Sequence, residues 1–161
     1  MKKISTYLFA AAIAIVSLSS CSSDDNSTAP TPEPQPTNLL LGQWDMQKMD
    51  MKIVMDGDTM IDEKEVDTKG AGITVQYDFK ADNTVEYYMY TPANAQQAEQ
   101  EQSGTGTYNR TGEKIIMTLG SPTTYTIQIL SSTELHLNMN EKENVNGAET
   151  EIDMTQKFTK I

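Results

Sequence analysis

Chemistry-bearing side chains are scarce in this chain, which holds one histidine, one cysteine and one tryptophan. A single imidazole, His136, leaves no second one for a zinc site, and there is no HExxH pair. Serine and cysteine triads lose their usual base. Asp56 and Asp58 lack the oxygen-ligand spacing of a calcium loop, and no glycine-rich phosphate cradle occurs. Carboxylate pairs stay open, because 23 acidic residues always offer some, yet Asp62, Glu63, Glu65 and Asp67 fall in a polar stretch that reads as solvated. The inventory points away from an enzyme, and no cofactor is expected. Basic residues are also few: 12 against 23 acidic, a formal net charge of −11. That balance repels phosphate groups and argues against nucleic acid and against adsorption to anionic lipid.

The lone cysteine sits where export signals end. Lys2 and Lys3 precede the mostly apolar run Ile4 to Val16, which is too short to span a bilayer, a task needing about 20 residues. Residues 1–20 therefore read as a signal peptide, to be left out of fold reasoning. Leu18-Ser19-Ser20-Cys21 resembles the bacterial lipobox, which implies that Cys21 is acylated, palmitate-type chains included, and serves as an anchor. The alternative is an ordinary signal peptide followed by a stray free thiol. Ser22-Ser23-Asp24-Asp25-Asn26 is similar to the surface-export signal of lipoproteins in the Bacteroidota. That implies an outer-membrane, cell-surface location, with a periplasm-facing tether as the other reading. Between Cys21 and residue 38 the prolines at 30, 32, 34 and 36 hold the chain near polyproline II, at about 3.1 Å per residue. No aromatic or branched aliphatic side chain is there to bury, so residues 21–38 form a disordered but stiff tether.

From residue 39 to 161 the apolar period is two. Ile73, Val75, Tyr77 and Phe79 alternate with polar neighbours, as do Val85, Tyr87 and Met89; Ile115, Met117 and Leu119; Tyr125, Ile127 and Ile129; Leu135, Leu137 and Met139; and Ile152, Met154 and Phe158. Such alternation predicts half-buried antiparallel strands. Asp56-Gly57, Asp82-Asn83, Gly112, Gly120-Ser121-Pro122 and Asn146-Gly147 supply turns between them. Links this short leave no room for crossover helices. Between Trp44 and Met55 the apolar phase gains one residue near Gln47-Lys48, the mark of a β-bulge. Residues 91–104, without an apolar stripe, read as a short exposed helix or loop, a lid over a barrel mouth. Eight to nine strands with one apolar face each predict an all-β, up-and-down antiparallel barrel, which removes open edges.

Leu41-Gly42-Gln43-Trp44 resembles the glycine-x-tryptophan that opens lipocalin-like proteins of the calycin type. Tyr77-x-Phe79 leading to Asp82-Asn83-Thr84-Val85, then Gly106-Thr107-Tyr108, Tyr125-x-Ile127 and Leu135-x-Leu137, are similar to the lipocalin-like domain lipoproteins of Bacteroidota. The resemblance covers residues 39–161. It implies a barrel whose closed end is plugged by Trp44 and whose mouth takes a ligand. The Asp82-Asn83 pair departs from the commoner aspartate-glycine.

All the methionines but Met1 lie in this domain; Met46 falls in the apolar phase before the extra residue, and those at 49, 51 and 55 in the one after it. Three readings stand: flexible thioethers filling an irregular core, a lining for an adaptable apolar cavity, or a soft-metal site for Cu(I) or Ag(I) using Met49 and Met51 with His136 and Trp44. No second histidine or mature thiolate supports the last. His136 is flanked by Leu135 and Leu137 and so faces away from them, as an exposed strand histidine. The leading functional reading is a lipid-anchored barrel binding a small apolar or amphipathic molecule through Trp44, Met49, Met51, Tyr77, Tyr87, Met117, Tyr125 and Leu137. The rival is a non-enzymatic accessory subunit with a filled barrel whose outer face docks another envelope protein. Asp58-Thr59-Met60 fits an O-glycosylation pattern at Thr59.

Overall fold

Alternating side chains become nine antiparallel strands in the computed structural model, which describes residues 38–94, 98–145 and 148–161. The strands are β1 (Gly42–Met55), β2 (Asp58–Asp67), β3 (Thr74–Phe79), β4 (Thr84–Thr91), β5 (Gln100–Thr111), β6 (Lys114–Thr118), β7 (Pro122–Leu130), β8 (Glu134–Val145) and β9 (Ala148–Lys160). No helix occurs among the described residues. The signal segment, Cys21 and the tether as far as residue 37 lie outside them, as does Asn146-Gly147, whose neighbours Val145 and Ala148 are register partners.

Eight strands close a barrel in the order β1, β3, β4, β5, β6, β7, β8, β9 and back to β1. The ninth, β2, is not a stave. It folds back on β1 through Asp56 and Gly57, whose φ angles of 50° and 88° give the two-residue turn that matches strand twist. Gly42 to Asp45 of β1 pair with β3, whereas Lys48 to Met55 pair with β2 along the same edge. The other edge of β1 pairs with β9 over its whole length, from Trp44↔Lys160 to Met55↔Thr150. A register shift between Met46 and Lys48 leaves Gln47 as the extra residue, and there the strand leaves the barrel wall. Beyond it β2, β1, β9 and β8 run on as a four-stranded sheet past the mouth.

Asp45, on the outer face, locks the passage from β2 to β3. Its carboxylate accepts hydrogen bonds from Lys69 Nζ at 2.7 Å, Gln76 Nε2 at 3.0 Å and Gln47 Nε2 at 2.7 Å. Buried Thr68 adds a bond from its hydroxyl to the Met46 carbonyl at 3.2 Å.

The lower barrel is filled. Trp44, Phe79, Ile115, Leu135, Leu137 and Phe158 are buried there with Leu40 beneath them, each large side chain contributing roughly 1.5–3 kcal/mol. Trp44 Nε1 donates to the Leu40 carbonyl at 2.8 Å, so the plug carries its polar atom satisfied. Aromatic rings link the walls across the core: Tyr77 to Phe158 at 5.4 Å and Phe79 edge-on to Tyr108 at 5.1 Å between centroids.

Two expectations need correction. Residues 100–104 are neither helix nor loop but the start of β5, paired with Tyr87 to Thr91. Backbone pairing with a tyrosine-rich strand overrides their low strand propensity, and residues 95–97 lie outside the described set. Ile129 points outward and is 41% exposed. A register shift between Ile127 and Ile129 inserts Gln128 and turns the following residues over, so Leu130 packs on the core in its place.

Candidate ligand-binding site at the barrel mouth

At the end of the barrel away from Trp44, β4, β5, β6 and β7 border an open cavity of about 250 Å³. Its walls are Tyr87 and Met89 of β4, Gln102 of β5, Met117 of β6, Leu119 and Ser121 of the following turn, and Thr123 and Tyr125 of β7. The register explains the assembly: Tyr87 pairs with Gly104, Met89 with Gln102 and Met117 with Thr123, so all sit on the inner face. Gly104 leaves room for the Tyr87 ring: a Cβ at that position would lie 3.1 Å from the Tyr87 hydroxyl, and the ring would have to give way by a few tenths of an ångström. The volume corresponds to about eight waters at liquid density. No charged side chain lines it.

Beneath the cavity lies Tyr77, 1% exposed. Its hydroxyl makes no hydrogen bond of normal geometry, although the Tyr125 hydroxyl is near enough to influence its ionisation. Burial, then the neighbouring Tyr125, push Tyr77 well above the ordinary tyrosine value. Tyr125 is also raised by burial, partly offset by the Tyr77 hydroxyl. Both phenols therefore remain protonated donors at any physiological pH. Gln156, facing inward on β9, has a second buried oxygen without a partner, Oε1. The Arg110 side chain, on the inner face of β5, instead donates to the Gly112 carbonyl at 3.0 Å in the β5–β6 turn. Lys160 lies at the closed end, its Nζ 4.9 Å from the centre of the Trp44 ring.

Of the residues singled out in the sequence, Tyr87, Met117 and Tyr125 meet around this cavity and Tyr77 supports its floor. Trp44 and Leu137 are fully buried in the filled lower barrel. Met49 packs half-buried against the core, and Met51 stands farther out on the sheet beyond the mouth, opposite Met154. Met89, Gln102, Leu119, Ser121 and Thr123 were not singled out. Met89 shares the alternation of Tyr87 and was legible; Gln102 lay in the stretch read as a lid, and Ser121 in a turn. The grouping of Met49 and Met51 with His136 and Trp44 does not form, since His136 faces outward and Trp44 plugs the closed end. His136 instead lines a surface depression with Lys48, Glu65, Glu134 and Lys157. Burial and then Lys157 lower its basicity, against the pull of Glu134, Glu65 and Asp50. Thr59 is exposed near the start of β2.

A closed, plugged antiparallel barrel with an uncharged mouth cavity defines a class. The profile of the lipocalin-like domain matches residues 40–139, and the chain belongs to that family. No curated protein matches it. Among solved structures, bovine odorant-binding protein with its natural ligand is similar at 14% identity, over 81% of this chain and 77% of that one, with a TM-score of 0.45. The same bovine protein in complex with undecanal is similar at 13% identity over the same shares, with a TM-score of 0.43. A deswapped triple mutant of it is similar at 16% identity, over 77% and 75%, with a TM-score of 0.41.

Proposed function

We propose that this protein binds a small, uncharged, largely apolar molecule in the mouth of its barrel, as a lipoprotein held at the outer membrane. The observation that carries the binding reading is the cavity itself: three apolar walls from Met89, Met117 and Leu119, set against hydroxyl and amide groups and no charge. Ligand sites of this kind combine apolar surface with a few polar groups that orient the guest. Tyr87 and Tyr125 offer hydroxyls to an oxygen on the ligand. An anionic head would be desolvated there without a cation to meet it, so an alcohol, aldehyde or ester fits better than a carboxylate. Support for the anchor comes from the lipobox-like sequence ending at Cys21, and support for surface exposure from the serine and aspartate residues after it.

The test is displacement of an apolar naphthylamine fluorophore from the full-length protein by medium-chain alcohols and by the carboxylates of equal length. Alcohols should compete and carboxylates should compete less. Gly104→Val, which pushes Tyr87 into the cavity, should weaken fluorophore binding. Fluorophore binding that is absent, or unchanged in Gly104→Val, would remove the reading. The filled lower barrel favours a second one, an accessory subunit that docks by its outer face. Native mass spectrometry that finds no co-purifying small molecule, together with failed displacement, would turn the choice to it.

A further inference from the structure

Where the wall of β1, β9 and β8 continues past the mouth, the register places Met51 directly opposite Met154, and Met154 directly opposite Met139. Directly opposed residues share one face of a sheet, with Cβ atoms about 4.5–5.5 Å apart. Three thioethers thus stand in a single row across three adjacent strands. We propose that this row is a binding site for a soft monovalent cation, Cu(I) or Ag(I), held by the sulfurs of Met51, Met139 and Met154.

Core filling accounts for only one of these three methionines: Met139 packs against the edge of the core, whereas Met51 and Met154 are not among the side chains packed on it. Met46 and Met117 are 2% and 0% exposed and fill gaps in the packed interior, which is the ordinary use of a flexible thioether. Met51, Met139 and Met154 are all only half-buried, and Met51 and Met154 stand on the part of the sheet that runs on past the packed core, with Met139 at its edge. Valine or isoleucine suits such strand positions better, and both neighbours one pleat along, Ile53 and Ile152, are indeed isoleucine. Thioether sulfur is a soft, neutral ligand that selects Cu(I) and silver over hard cations and carries no proton to lose, so binding does not depend on pH near neutrality. Three rotatable bonds let each sulfur move toward a common centre. Two carboxylates on the same face, Glu63 opposite Met51 and Glu141 opposite Ile152, give the approach to the row a negative potential. The site is separate from the mouth cavity, since none of the three methionines lines it.

The test uses the full-length protein labelled with carbon-13 at the methionine methyls and titrated with silver nitrate in chloride-free buffer. The methyl signals of Met51, Met139 and Met154 should move together and saturate, while those of Met46 and Met117 stay in place. Met154→Leu should weaken Ag(I) binding by at least about tenfold. Met60→Leu, on exposed β2, should leave it unchanged. Met139→Leu provides an independent second variant should Met154→Leu fold poorly. The proposal is overturned if the three signals do not respond, if Met60 responds in parallel with them, or if the folded leucine variants bind Ag(I) as well as the parent.

Discussion

The Asp50 carboxylate accepts a hydrogen bond from the backbone amide of Glu65 at 2.8 Å. Glu65 holds a left-handed φ of 53°, a conformation that costs a side-chain-bearing residue roughly 1–2 kcal/mol. Pairing between β1 and β2 slips here, so Lys64 and Glu65 together face Asp50. Lys157 then bridges the two carboxylates, 2.9 Å from Asp50 and bonded to Glu65, and Lys48 reaches Glu65 at 2.9 Å. An irregular strand is thereby fixed to the barrel by one charged knot.

The knot predicts acid sensitivity. Burial pushes Asp50 upward, but the Glu65 amide and Lys157 outweigh it and leave it lowered; hydrogen bonds from Lys157 and Lys48 lower Glu65. Groups lowered by folding bind fewer protons in the native state than in the unfolded one. Their contribution is complete above the ordinary carboxylate values of about 4 and is lost as pH falls through the lowered ones. Urea midpoints measured from pH 6 downward should therefore decline most steeply below about pH 4. Lys157→Met should flatten that decline, and an unchanged acid limb in the variant would contradict the assignment.

Tyr77→Phe removes a buried hydroxyl that makes no hydrogen bond of normal geometry. Deleting an unsatisfied group recovers part of its desolvation cost, so stability should hold or rise by up to about 1 kcal/mol. Urea denaturation checks the sign. A loss above about 1 kcal/mol would mean that the hydroxyl is bonded in solution, to Tyr125 or to water.

Trp44→Ala should cost about 3–5 kcal/mol, because it empties the closed end of the barrel. Trp44→Phe keeps most of the ring but orphans the Leu40 carbonyl, costing about 1–3 kcal/mol. Both are followed by far-ultraviolet circular dichroism, since the only tryptophan is lost. Trp44→Phe as stable as the parent would show that the indole nitrogen bond is immaterial.

Two glycines should rank differently. A Cβ on Gly106 would overlap the Thr118 carbonyl oxygen and lie 2.7 Å from Leu119 Cδ2, forcing β5 away from β6. Gly112 has a φ of +62°, and a Cβ there would meet nothing within 4 Å, so only backbone strain opposes alanine. Gly112→Ala should cost about 1 kcal/mol and Gly106→Ala about 1–3 kcal/mol. Gly106→Ala should also weaken ligand capture, because Leu119 lines the cavity. A reversed order of urea midpoints would refute the close approach.

Local features were written in the chain alone. Each alternating run set which side chains share a face, Asp56-Gly57 set a tight turn, and the extra residue at Gln47 marked a bulge, because these depend on neighbours along one strand. The rest had to wait for the strands to meet. Sheet closure put β3 and β9 on either edge of β1 and left β2 outside, and pairing with β4 drew Gln100 to Gly104 into a strand. The inserted Gln128 sent Ile129 outward and Leu130 inward, since a side chain's face holds only while register does. Whether an inner-face residue touches ligand or core is likewise a matter of height along the barrel. Strand tilt and stagger fix that height: Trp44 and Leu137 sit where opposite walls meet, and Tyr87 and Tyr125 where they part.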